Sequence, residues 1–148
     1  MGNGLEASVG QRVSFSKTVS EDDVYLFAGI TGDFAPNHVD EKFMRQTQYG
    51  RRIAHGALLV GYMSRASTMI VEKIAGEGDG LYPVSLGYDR IRFLKPVFIG
   101  DTITVSYVIV SCVAEKSRTT ATVEVLNETG EVVAVATHVM KWLMRKAE

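Results

Sequence analysis

The chain predicts an α+β domain in which an antiparallel sheet of roughly five strands wraps around one long central helix. Three observations carry that prediction. A run from Gly56 to Ala75, "GALLVGYMSRASTMIVEKIA", is apolar over most of its circumference in its first half, as suits a helix buried on several sides. Beyond it, segments rich in Val, Ile, Thr, Tyr and Phe follow one another at the spacing of an antiparallel meander. The length of 148 residues holds one core of ordinary size, with no linker or repeat to divide it, so residues 1–148 are expected to form one domain.

From the N-terminus, "RVSFSKTV" alternates apolar Val13, Phe15 and Val19 with polar neighbours and reads as a half-buried strand. Ser20 suits an N-cap: Asp23 stands three residues later in the acidic turn "EDD", and Val24, Phe27 and Ala28 form the apolar stripe of a helix that stops near Gly32. The next stretch, "TGDFAPNHVD", carries too many turn residues for a helix and too few apolar ones for a strand. "DEKFMRQ" reads as a second short helix capped by Asp40. The long helix would then run about 30 Å at 1.5 Å per residue. Its Arg65, Glu72 and Lys73 argue against a membrane span. After "GEGDG" come "VSLGYDRIRFL", "DTITVSYVIVSCV", "RTTATVEVLN" and "EVVAVATHVMKWLM", the last two joined by the hairpin "LNETGE"; Pro96 and Gly100 interrupt the first pair.

Composition removes several classes of function. Hydrophobic residues make up 46% and charged residues 22%, with a formal net charge of -1, so nothing marks a nucleic-acid surface. The start "MGNGLEASVGQRVSF" has neither the basic residues nor the apolar run of a secretion signal, and Glu6 stands where a myristoylation pattern needs Ser or Thr. A cytoplasmic protein with no membrane partner is expected. "NET" at Asn127 then serves a turn rather than glycosylation. The single Cys112 reads as a small buried hydrophobe. Three histidines without metal-site spacing lead us to expect no metal and no other cofactor.

Two stretches carry chemistry. Asp33 and His38, with Pro36 between them, are separated by at most roughly 17 Å of extended chain, and a turn would bring them closer. A carboxylate and an imidazole on one water make an acid/base device. By spacing alone, a helix-ending Asp33 and an ordinary loop histidine are the preferred reading of the stretch. The second is "RRIAHGALLVGYMS". Here Gly56 opens the buried helix, where unpaired N–H groups and the dipole receive negative charge and the missing side chain admits a carbonyl. Simple clearance at a crowded helix start is the alternative for Gly56. His55 reads as a cap or core histidine.

"GDFAPNH", "IAHGALL" and "RFLKPVFIGD", in this order, resemble the MaoC-like, or R-specific enoyl-CoA hydratase, family of hot-dog-fold proteins, and the resemblance covers nearly the whole chain. It implies syn addition of water to a 2-enoyl thioester of CoA or acyl carrier protein, or the reverse, with Asp33 and His38 activating the water. It further implies that the Gly56 N–H meets the thioester oxygen and that Ser64 supports the loop. A homodimer or a multiple of it follows from the same likeness and from the need to protect a sheet edge. One departure stands out: the family's loop asparagine is replaced by Ala35, while an asparagine stands at position 37. Two other readings therefore stay open, a hot-dog thioesterase and a non-catalytic acyl-CoA-binding subunit of a heteromer.

Overall fold

The computed structural model describes residues 5–74 and 80–146. The Met-Gly start, Ala75, most of "GEGDG" and the last two residues of the basic tail lie outside them. The described elements are β1 (Arg12–Thr18), α1 (Glu21–Thr31), α2 (Pro36–Val39), α3 (Glu41–Met44), α4 (Gly56–Ile74), β2 (Leu81–Phe93), β3 (Thr102–Val113), β4 (Arg118–Leu126) and β5 (Val132–Met144).

Local chemistry accounts for the helix ends. Ser20 Oγ accepts from the Asp23 N–H at 3.1 Å and Asp23 Oδ2 accepts from the Ser20 N–H at 2.9 Å, a reciprocal capping box at the head of α1. At its other end Gly32 takes φ 80°, and its N–H donates to Ala28 O at 2.8 Å. Asp40 Oδ1 accepts from the Phe43 N–H at 2.9 Å and caps α3, which is shorter than its sequence suggested. The stretch between them corrects our reading more substantially. Residues Pro36–Val39 form one helical turn, because proline at the first position has its φ already set and needs no N–H partner there.

The sheet is antiparallel in the order β1-β3-β4-β5-β2. Strands β3, β4 and β5 form the expected meander, but β2 crosses to the far edge beside β5 instead of pairing with its successor. In β3 the buried positions Ile103, Val105, Tyr107 and Ile109 alternate with partly exposed ones, and Ala121, Val123 and Val125 do the same in β4. This face closes over the buried Leu58, Leu59, Tyr62, Met63, Ala66 and Ile70 of α4. Each large aliphatic side chain so buried contributes about 1.5–3 kcal/mol of transfer free energy. The opposite side of α4, with Ala57, Gly61 and Ser64, is exposed, so sheet and helix cover one side and not the whole circumference. Cys112 is half-buried rather than fully buried. The hairpin forms as expected, with Asn127 N–H donating to Glu131 O at 2.9 Å and Asn127 Oδ1 accepting from the Thr129 and Glu131 N–H groups.

Candidate active site

The site lies where the α1–α2 connection meets the start of α4. Having turned out of α1 at Gly32, the chain makes an Asx turn: Asp33 Oδ1 accepts from the Ala35 N–H at 3.3 Å, and Thr31 Oγ1 accepts from the Asp33 N–H at 3.2 Å. The single turn of α2 then carries His38 inward, where it is buried. Arg52 braces this corner from outside, bonding Glu41 at 3.3 Å and pairing with Glu21, so that α1 and α3 are tied on either side of the loop.

The hydrogen bonds decide how the two histidines are protonated. His38 Nδ1 lies 2.8 Å from Ile53 O. A carbonyl only accepts, so the ring hydrogen is on Nδ1 and the neutral ring keeps its lone pair on Nε2. Asn37 Nδ2 stands 3.2 Å from that nitrogen. Burial depresses the His38 pKa below its ordinary value, with the neighbouring His55 acting in the same direction and the Ile53 carbonyl and Asp33 opposing. The ring is held in the form that can take a proton.

His55 does what a core histidine at this place should do, and more. It is buried at the head of α4, donates from Nε2 to Asp33 O at 2.9 Å, and stacks on His38 with ring centroids 3.7 Å apart at 27°. Phe27 packs on it at 4.7 Å. His55 is thus the tie between helix start and loop, a function its spacing did not announce.

The structure brings Asp33 and His38 together: one ligand atom from each of Asp33, His38 and His55 lies within 4.8 Å of the others. The same trio invites a metal reading. Imidazole lone pairs lie in the ring plane, however, and two rings stacked 3.7 Å apart at 27° hold theirs in separate, nearly parallel planes, which works against convergence on one ion. The arrangement fits a shared water better than a metal.

Gly56 begins α4, and the Leu58 N–H is the first to find a turn partner, the His55 carbonyl at 3.2 Å. Its own N–H has no partner in helical geometry. The ring of Phe93 lies against it, so that a Cβ at this position would stand 2.6–2.8 Å from three ring carbons. Glycine is required for that approach. Phe93 escaped the sequence reading, although it stands in the quoted "RFLKPVFIGD". A cleft of about 370 Å³ joins these parts, lined by Asn37, His38, Gly56, Phe93, Leu94 and Lys95 among others. Ser64 sits about two turns further along α4 and is exposed; the bonds found at it are made by its carbonyl, which accepts from the Ser67 hydroxyl at 2.7 Å.

Fold and site define the class: a five-stranded antiparallel sheet closed on one long helix, with a carboxylate and two imidazoles gathered at the helix start, is a hot-dog protein. A hot-dog-like protein from Thermanaerovibrio acidaminovorans shares the fold at 15% identity and TM-score 0.65, over 92% of this chain and 83% of that one. The chain belongs to the MaoC-like family, since the model of the MaoC like domain matches residues 5–133. It is 40% identical over 118 residues to the (R)-specific enoyl-CoA hydratase of Rhodospirillum rubrum, covering 77% of this chain and 76% of that protein. It is 33% identical over 113 residues to the 3-hydroxybutyryl-CoA dehydratase of Methylorubrum extorquens, covering 76% and 67%. Its fold superposes on the (R)-hydratase of A. caviae involved in PHA biosynthesis with TM-score 0.77 and 29% identity, covering 90% and 95%. The chain is an enzyme of the hydratase and dehydratase kind.

Proposed function

We propose that this enzyme adds water across the double bond of a 2-enoyl thioester to give the 3-hydroxyacyl thioester, and catalyses the reverse. The observation that carries the proposal is the convergence of the Asp33 carboxylate and the His38 ring within 4.8 Å of each other, beside the opening turn of α4. One water held by both loses a proton to this pair as its oxygen bonds to C3 of the enoyl group. A proton is returned from the pair to C2, so the overall step consumes one water and leaves both side chains as they began. Between these events negative charge collects on the thioester oxygen. The Gly56 N–H and the positive end of α4 are the groups that would receive it.

The ligand carries CoA or an acyl carrier protein, and its acyl end enters the cleft past Phe93. Ser64 is kept as a supporting residue whose contribution is small within one chain. No described helix is long and apolar enough to cross a membrane, and a cytoplasmic setting goes with the proposal. Purified protein given crotonyl-CoA tests it: loss of enoyl absorbance without free thiol supports hydration. Release of thiol instead would make the protein a thioesterase.

One observation favours a second reading. Ala35 places only a methyl group in the loop, beside an acid/base pair that is otherwise complete. If neither the absorbance nor the thiol signal changes with any enoyl thioester, a non-catalytic acyl-binding subunit is the better description. Ala35→Asn is then the deciding variant, because activity gained by it would mark an impaired hydratase.

A further inference from the structure

We infer that Asn37 is the positioning residue of the His38 base, its side-chain amide set against Nε2 so that this nitrogen remains an acceptor and remains aimed into the cleft. The inference rests on the reading of His38 as a base, and it is carried by the bonds that fix both residues. Ile53 is the common anchor: its N–H donates to Asn37 O at 3.0 Å, and its carbonyl accepts from His38 Nδ1 at 2.8 Å. The Asn37 backbone and the His38 ring are therefore pinned to one residue, and the half-buried Asn37 side chain meets the ring at Nε2. With the ring hydrogen consumed at Nδ1, the atom that Asn37 offers to Nε2 at 3.2 Å has to be an amide N–H.

That donor has two effects. It satisfies the lone pair of a buried ring in the absence of ligand, and it favours the neutral ring over the protonated one, since imidazolium has no lone pair for it. Asn37 lines the same cleft as His38, so the amide lies where a substrate water would share or displace its bond. The other groups around the ring act on its charge as well. Asp33 faces it from the loop, His55 stacks on it from the start of α4, and Tyr49 and Lys95 line the cleft. All four are the same in any Asn37 variant, so a difference between variants reports the amide.

The test follows the His38 ring itself by NMR titration, its signal assigned by its absence from His38→Gln, together with the pH profile of crotonyl-CoA hydration. Losing one neutral hydrogen bond should move the His38 midpoint upward by about half to one unit in Asn37→Ala. Asn37→Asp, of nearly the same shape, should move it further, because a carboxylate favours the protonated ring. The acid limb of hydration should move with the midpoint. An unmoved midpoint in both variants overturns the inference, even if hydration is impaired, because loop damage alone would lower turnover without changing the titration. A shifted midpoint in a protein that hydrates nothing upholds the contact and sinks the hydratase reading instead.

Discussion

At the scale of the residue, the loop pair is the part of the molecule most open to direct test. A positioned acid or base contributes about 10² to 10⁴ in rate, so Asp33→Asn and His38→Ala should each lower hydration by that order, with stability much less affected. Acting on one water, they behave as a unit, and the double variant should be little slower than either single one. Near-normal rates in both single variants would make the pair structural. The pH dependence follows from the burial of His38. Its pKa is depressed, so the neutral ring is already in place at neutral pH, and kcat/KM should stay level there and fall only on the acid side of about 6.5. A decline setting in above neutrality on acidification would place the essential base elsewhere.

At the scale of the element, the start of α4 and the helix-facing side of the sheet make separate predictions. Gly56→Val puts a branched side chain where Phe93 already lies, 2.6–2.8 Å from the first added carbon. Phe93 is half-exposed and can turn away, so the fold should survive while turnover falls sharply. Unchanged kinetics would mean that the carbonyl binds away from this helix. Behind α4, His138 is fully buried, bonded at Nδ1 to Tyr107 Oη and at Nε2 to Ser85 Oγ, both at 2.8 Å, and stacked on Tyr88. Burial pushes its pKa down to about 4. The unfolded chain therefore takes up this proton first as pH falls. Stability present above about 6.5 should decline toward pH 4 and then level off, by about 3 kcal/mol from this group. Urea unfolding at pH 7 and pH 5 should show that slope in the parent and a flatter one in His138→Gln. An equal slope in both would assign the acid sensitivity to other groups.

At the scale of the whole molecule, the sheet ends on a long edge. β2 runs 13 residues, pairs only with β5 among the described strands, and bears the exposed apolar residues Val84, Leu86 and Phe93. An edge of that length and character pairs with another chain unless something covers it. We expect a homodimer or a multiple of it at micromolar concentration by sedimentation. A monomer there would overturn that expectation and leave the edge to be covered by something else.

Much of this architecture was legible beforehand because it is written in local patterns. Ser20 and Asp23 cap α1 by a contact spanning three residues, the apolar period of 56–75 needs only its own helix, and Asn127 closes a turn with its near neighbours. The residue types of the proposed site were legible for the same reason: Asp33, His38 and Gly56 stand in short stretches whose chemistry can be weighed one at a time. Only the tertiary structure decided how those stretches meet. That His55 holds the loop through the Asp33 carbonyl, that Ile53 sets the His38 tautomer, that Phe93 covers Gly56, and that β2 crosses to the far edge all join residues distant along the chain. Periodicity and capping report energies of neighbours in sequence. Contacts between distant segments are selected by the packing of the whole core, which no single stretch contains.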